Sequence, residues 1–487
     1  MAHWFPFPFN ELAGAQKALL ELEAQDDARA DLPVPNPTKS FWLDSTPGVN
    51  PLAKEGSEGA LTTDADVCIV GSGITGVSTA YHLSRLLQGS TNGPLRVVIL
   101  EARDFCSGAT GRNGGHLTSR AFVEFSDFEK LYGREEAIKS IAIEDYTVRR
   151  LVELIKADDV ANDVDLISSE HVHLAFTNEE LAYGKADFAA AKAAGLNLDH
   201  VQWMDAEEMQ AKYGAAYPGV KWPGNNVWPL KLVTHLFQSS QKDESKLSMN
   251  LHTHTPVTAV SARSPESSDP FARRWSVRTA RGTISCGYVV HATNAYASYL
   301  LPHLHGPRGI IPARGQIIAV RADVSAEELT KTSYGGNQGF EYWFPMPAKL
   351  SEGKTDQPLV IMGGGREATG PRYETYTTDD STLNPVVGKG LREFLPHVFP
   401  TKYAKGREPE MEWSGIMGFT AIGDPFVGPI GERFEGQYIS AGYSGHGMPR
   451  AFSCAEVVAQ MIVASLLGSE WAPPEWLPKR YLTWEKR

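Results

Sequence analysis

Asp66-Val-Cys-Ile-Val-Gly-Ser-Gly-Ile-Thr-Gly-Val-Ser-Thr-Ala-Tyr-His-Leu83 is the stretch from which the rest of the chain can be read. Val67 to Val70 form a short apolar run of the kind found in a strand buried on both faces. Gly71, Gly73 and Gly76 follow in G-x-G-x-x-G spacing, and Val77, Ala80, Tyr81, Ser84 and Leu87 then recur at helix period. The three glycines permit, in turn, a tight turn, close approach of backbone to a pyrophosphate, and close packing of helix on strand. The helix N-terminus adds free N–H groups and a partial positive charge. A second apolar run, Leu95-Arg-Val-Val-Ile-Leu-Glu101, closes a β-α-β unit and ends on an acid. That acid stands 25 residues beyond Gly76, where about 20 is usual for a ribose-binding carboxylate. The loop Gly89-Ser-Thr-Asn-Gly-Pro94 accounts for the surplus. The unit reads as a dinucleotide cradle, with nicotinamide and flavin dinucleotides equally open at this point.

At 487 residues the chain exceeds one ordinary core, so two linked domains are expected. A formal charge of −12 argues against nucleic acid or an anionic membrane as partner, while leaving room for a local basic pocket. Cys68, Cys106, Cys286 and Cys454 are widely spaced, which fits neither a disulfide framework nor a zinc site and suits a reducing compartment. Cys106 lies near the cradle, so a reactive thiol competes there with an inert packed one. The H-x-H pairs His252/His254 and His303/His305 lack the neighbouring ligands a metal needs, and no metal is expected. The N-terminus has no basic, signal-like start, no window reaches about 20 apolar residues, and Trp484-Glu-Lys-Arg487 is no retention signal. A cytoplasmic protein without membrane association is expected.

Residues 1–64 hold a helical pattern at Glu11 to Glu23, a Pro-rich run Leu32-Pro-Val-Pro-Asn-Pro37, and the aromatic Ser40-Phe-Trp-Leu43. They read as an extension packed on the surface. Beyond the β-α-β unit comes a long helical pattern from Phe125 to Lys156, then strands and helices alternate from 164 to 260. Trp275–Thr279 and Thr283–Cys286 flank Arg281-Gly282 as a hairpin. Further strands are expected at Ile310–Ala322, Phe340–Met346 and Leu359–Met362, and helices at Asp379–Val398 and Arg450–Leu467. The expected division is an N-terminal extension (1–64), a cofactor domain in three pieces (65–160, 249–300 and 410–487), and a substrate domain in two (161–248 and 301–409).

The fingerprint belongs to an ordered set of motifs. The set includes Gly108-Ala-Thr-Gly-Arg-Asn-Gly-Gly-His116, Ala292-Thr-Asn-Ala-Tyr296, Pro312-Ala-Arg-Gly-Gln316 and Tyr342-Trp-Phe344. It continues with Gly363-Gly-Gly-Arg366, Trp413-Ser-Gly-Ile-Met-Gly-Phe-Thr420 and Gly442-Tyr-Ser-Gly-His-Gly-Met448. Over about 60–470 it resembles the FAD-dependent amine and D-amino-acid oxidase (glycine/sarcosine oxidase) family, most of all its γ-glutamylputrescine oxidase-like branch. The resemblance implies an α/β fold: a Rossmann-like FAD-binding domain, of the p-hydroxybenzoate-hydroxylase and glutathione-reductase kind, interleaved with a mixed-sheet α+β substrate domain. It places Gly71, Ser72, Gly73, Ile74, Thr75 and Gly76 at the pyrophosphate, and Glu101, Ala102 and Arg103 at the adenosine ribose. Val257 meets the adenine through its backbone, with Ala292 and Thr293 as further contacts. Gly108, Ala109 and Thr110 lead into Arg112, Asn113, Gly114, Gly115 and His116 along the isoalloxazine. Gly442, Gly445, His446, Gly447 and Met448 lie at its pyrimidine end, where a helix N-terminus stabilises the charge of reduced flavin. Members that tether FAD do so through a C-x-Y-T cysteine. The matching Met417-Gly-Phe-Thr420 has none, so non-covalent FAD is expected.

Flavin amine oxidation needs an oriented neutral amine and a dry pocket more than acid–base machinery. Candidate catalytic residues are His116, Arg314, Tyr342 and His446, with Gln316, Trp343 and Arg366 as further pocket groups. The Arg314 guanidinium suits a substrate carboxylate or, equally, a buried ion pair. Alternation sends only one of Tyr342 and Trp343 inward. The expected reaction takes an amine or amino acid to an imine, with O2 as acceptor and hydrogen peroxide as product. The alternatives are a flavin dehydrogenase of a hydroxy acid or amine using another acceptor, and a nicotinamide-dependent dehydrogenase.

Overall fold

The computed structural model describes residues 29–87, 93–263, 272–347, 357–370 and 372–486. The helix expected at Glu11–Glu23 and most of the Gly89–Pro94 loop lie outside them. Among the described residues the strands form two eight-stranded sheets. The first runs in the order Phe426–Pro429, Gln437–Ala441, Gly282–His291, Asp64–Val70, Leu95–Leu100, Leu247–His252. All neighbours are parallel except the outermost pair, Phe426–Pro429 with Gln437–Ala441. An antiparallel hairpin, Val257–Ala262 with Trp275–Thr279, is attached to Gly282–His291.

The apolar run read as a strand buried on both faces is one: from Ala65 to Val70 every residue is buried. On one side it is covered by the helix Ile74–Leu86, which packs against Ala451–Leu467. The latter is apolar almost all round because it lies between the sheet and the helix Arg134–Ala157.

The second sheet runs Met411–Phe419, Ile311–Arg321, Leu359–Gly364, Glu341–Pro345, Ser333–Gly336, Ile167–Leu174, Gly219–Asn226, Gln202–Met204. Only Ser333–Gly336 with Ile167–Leu174 is parallel. One face packs on the helix Pro385–Val398 through Met362, Trp343, Leu391 and Phe394. The α/β expectation therefore holds, and the strands of both sheets alternate along the chain.

Several boundaries differ from the sequence reading. The pattern Phe125–Lys156 is two helices, Phe125–Tyr132 and Arg134–Ala157, broken at Gly133, whose φ of +83° ends the first. The helix expected from Asp379 starts at Pro385, capped by Asn384. Met411–Phe419, assigned by sequence to the cofactor domain, pairs along Ile311–Arg321 in the second sheet. The N-terminal extension is not merely superficial: Trp42 is fully buried and meets Phe41 and Trp228 edge-on. No described helix is long and apolar enough to cross a membrane.

Candidate functional site

A cavity of about 910 Å³ runs between the two sheets, from the glycine turn at Gly71 to Tyr342 and Arg366. At one end the strand Asp64–Val70 turns into its helix through Gly71, whose φ is +110°. A methyl group there would stand 2.6 Å from the Ala292 carbonyl oxygen, and one on Gly76 would collide with the Gly71 carbonyl. Gly73 caps the helix without a side chain, so only Thr110 Oγ1, accepting from the Ile74 amide at 3.1 Å, meets the first turn from outside. The remaining amides of that turn are available to an anion. Glu101 is 8% exposed. It accepts from the Ser72 amide and hydroxyl at 3.0 and 2.8 Å and from the Arg103 amide at 3.0 Å. Those donors hold its carboxylate at the cavity wall.

The glycine loop 108–116 lies along the cavity floor. Asn113 Oδ1 accepts from the Gly115 amide at 2.8 Å, and the Asn113 carbonyl accepts from Trp42 Nε1 at 2.6 Å. The Tyr342 ring occupies the space that methyl groups on Gly114 and Gly363 would take. Trp343, one residue on, points the opposite way and stacks on Tyr334 with centroids 5.1 Å apart. His116 stands edge-on to Tyr342, Phe344 and His171. Burial pushes His116 down to about 4 and His173 to about 4, and holds His171 well below the usual imidazole range. This wall is therefore neutral at pH 7.

At the third corner the turn after Gln437–Ala441 uses positive φ at Gly442, Ser444 and Gly445. Ser444 secures it: its amide donates to the Gly418 carbonyl at 2.8 Å and its hydroxyl accepts from the Thr420 amide at 3.1 Å. His446 lies 3.4 Å from Glu144, short of a hydrogen bond, with its exposed ring surface on the cavity. Burial lowers His446. Burial alone would raise the Glu144 carboxyl, but Arg120, His446 and Arg450 outweigh it and hold Glu144 well below the usual range. Tyr443 ties this turn to the glycine cradle, its hydroxyl 3.0 Å from Thr75 Oγ1 and 2.8 Å from Ser440 Oγ.

Most residues singled out in the sequence line this one cavity: Gly71, Gly73, Ile74, Thr75, Glu101, Ala102, Arg103, Gly108, Ala109, Thr110, Arg112, Asn113, Gly114, His116, Val257, Ala292, Thr293, Tyr342, Gly445, His446, Gly447 and Met448. Ser72, Gly76, Gly115 and Gly442 stand behind the wall and shape it.

Three arginines depart from expectation. Arg314 is off the cavity, held by Glu374 at 2.6 Å and by Thr382 at 2.7 Å. Of its two sequence readings the buried ion pair is the one realised, because Glu374 folds back across its strand. The Arg112 guanidinium turns from the cavity to the carbonyls of Ser107, Thr38 and Ser414. Arg103 makes a bidentate pair with buried Asp380, at 2.8 and 3.1 Å. Asp380 and Glu144 escaped the sequence reading, since each acts through neighbours remote in the chain, and Tyr296 was read only as the end of a motif and given no role.

Arg366 does line the cavity. Among the described residues it has no carboxylate within ion-pair distance; its guanidinium lies over the Phe419 ring at 4.8 Å. Burial raises nearby Glu341 well above the carboxylate range, with Glu367 adding to it, and burial lowers Arg366 against the opposing charges of Glu367, Glu341 and Glu374.

The cavity suits an elongated dinucleotide. Thr293 Oγ1 and the Tyr296 hydroxyl both face it, buried and without a hydrogen-bond partner among the described residues. Such atoms are rare unless a ligand completes them. Together with the open helix turn and Glu101 they match phosphate and ribose chemistry. Residues 66–461 match the family of FAD dependent oxidoreductases known as DAO. This chain belongs to that family. It is a FAD-dependent oxidoreductase, and the family's cofactor is the one this cavity fits.

The chain is 26% identical over 411 residues to γ-glutamylputrescine oxidoreductase of Escherichia coli (strain K12), covering 83% of this chain and 84% of that one. It is 25% identical over 403 residues to the probable oxidoreductase OrdL of Rhizobium meliloti (strain 1021), covering 82% of each. Its fold matches the crystal structure of glycine oxidase from Geobacillus kaustophilus with a TM-score of 0.63 at 20% identity, covering 86% of this chain and 99% of that one.

Proposed function

We propose that this enzyme oxidises the C–N bond of an amine carrying a carboxylate, an amino acid or an amino-acid conjugate, with FAD held non-covalently. The observation that carries the reading is Arg366: a cavity-lining guanidinium without an ion-paired carboxylate among the described residues, at the opposite end from the phosphate cradle. A fork of N–H donors there matches a carboxylate in geometry and charge. When bound, FAD supplies the hydride acceptor and passes the electrons on, with O2 as the proposed final acceptor and peroxide as product.

The chain's own residues orient and desolvate. Tyr342, wedged between Gly114 and Gly363, and the neutral imidazoles of His116 and His171 make a wall that accepts an uncharged amine without opposing charge. The amides of Gly445, Gly447 and Met448, ahead of the helix Ala451–Leu467, supply donors toward developing negative charge, while that of His446 is taken by the Tyr443 carbonyl at 3.0 Å. Non-covalent attachment is supported by the cysteines: all four are buried, and none lines the cavity. Burial also raises the Cys106 thiol, which favours the inert reading over the reactive one. Relatives named for γ-glutamylputrescine and glycine support an amine substrate.

The test is anaerobic bleaching of the purified yellow protein across matched amines with and without a carboxylate. Bleaching by the carboxylates alone is expected, followed by peroxide on admitting air. Bleaching only by amines lacking a carboxylate would overturn the Arg366 reading. Bleaching without peroxide would assign a dehydrogenase.

A further inference from the structure

We propose that residues 30–44 are part of the cofactor site: a strap that closes the adenosine end of the cavity with Leu32 and Pro33 and braces the flavin loop with Ser40 and Trp42. The inference rests on FAD lying along the cavity from Glu101 toward His116. The β-α-β unit begins at Asp64, so residues 30–44 precede it in the chain and reach the cavity only through the tertiary fold.

Leu32 and Pro33 lie on the cavity wall together with Glu101, Arg103 and Val257. Pro33, Pro35 and Pro37 stiffen the segment and remove three amide donors. The strap therefore offers carbonyls, and the enzyme answers with cations. Arg103 donates to the Val34 carbonyl at 3.2 Å and Arg112 to the Thr38 carbonyl at 2.7 Å. Asp380, which pairs with Arg103, also accepts the Thr38 amide on its own carbonyl at 2.7 Å. These are the arginines that sequence alone assigned to the cofactor; here they clamp the strap.

The second half grips the loop. Ser40 Oγ donates to the Gly111 carbonyl at 2.6 Å, and Trp42 Nε1 to that of Asn113 at 2.6 Å. The Trp42 ring underlies Gly115, where a methyl group would stand 3.1 Å from it, and Leu43 sits 2.9 Å from the corresponding point on Gly111. A side chain at Gly111 would meet the Cys106 carbonyl before Leu43, and one at Gly115 the Val227 carbonyl at 2.9 Å before Trp42, so the strap shares with these carbonyls in closing the space at both glycines. Trp42 is anchored in turn, its carbonyl accepting from Trp228 Nε1 at 3.0 Å.

The experiment uses the holoenzyme and follows FAD release by the rise in flavin fluorescence after dilution. Leu32→Gly combined with Pro33→Gly changes two half-exposed side chains and leaves the fold intact. It is expected to release FAD about tenfold faster, the loss of roughly one buried aliphatic side chain, with an unchanged flavin absorption spectrum. Trp42→Phe keeps a ring but loses the Asn113 bond, and is expected both to speed release and to shift the spectrum. Lys39→Ala, an exposed site on the same segment, is expected to do neither. Release from both strap variants at the parent rate would overturn the proposal while leaving the reading of the cavity intact. A protein that binds no FAD at all would overturn both.

Discussion

Arg314 and Arg366 carry the same group, and their neighbours give them different work. Arg314 is paired with Glu374 among half-buried groups, so Arg314→Ala strands a carboxylate and should lower stability by about 3 kcal/mol. Its KM for a carboxylated amine should stay within about twofold of the parent, since no binding contact is lost. Arg366→Ala should raise that KM about 10- to 100-fold, the worth of a charge-assisted hydrogen bond, with little change in melting temperature. Steady-state kinetics beside thermal melts separate the two. His116 carries a third expectation. Because burial holds it near 4, it is neutral throughout the working range. His116→Asn should leave the pH dependence of kcat/KM unaltered above about pH 6, where the substrate amine sets the profile. A limb near neutrality that vanished in the variant would assign His116 a proton-transfer role.

Among the elements, the glycine turns are legible in sequence and the loops between sheets are not. Gly76 lets the helix Ile74–Leu86 lie against its strand, and a methyl group would collide with the Gly71 carbonyl. Gly76→Ala should therefore abolish flavin retention and soluble expression together. Gly363→Ala tests a subtler fit: its methyl group would intrude on the Tyr342 hydroxyl. The expected result is a folded protein, destabilised by about 1–3 kcal/mol as overpacked sites are, with a perturbed flavin spectrum. Periodicity located the helix Ala451–Leu467 and the strand Asp64–Val70 because each has a one-sided or wholly apolar pattern. It failed at Gly133 and at Asp379–Asn384, where a single φ and a cap decide the boundary. It also misplaced Met411–Phe419, since an apolar strand carries no label for the sheet it joins.

For the molecule as a whole, acid is the exposed weakness. Burial lowers His82 to about 3 and His291 to about 4, against about 6.5 in an unfolded chain. Between those values the unfolded state takes up protons that the folded state refuses, so stability falls as pH drops below about 6.5 and continues to fall toward 4. Melting temperatures across that window should decline steadily, and a flat series would contradict it.

The sequence by itself determined that a glycine cradle of dinucleotide type exists, which glycines build it and which acid closes its β-α-β unit, because phosphate binding is a local affair of one turn and one helix end. The resemblance carried by the loops at 108–116 and 442–448 extended that to a flavin. Only the tertiary structure brought Arg366 and Tyr342 into one cavity, kept Arg314 off it, and tied the guanidinium groups of the lining residues Arg103 and Arg112 to Asp380 and to backbone carbonyls. It also folded the strap 30–44 over the result. A guanidinium looks the same wherever it stands in a chain; which anion reaches it first is settled by segments such as Asp380 and Glu374, hundreds or tens of residues away.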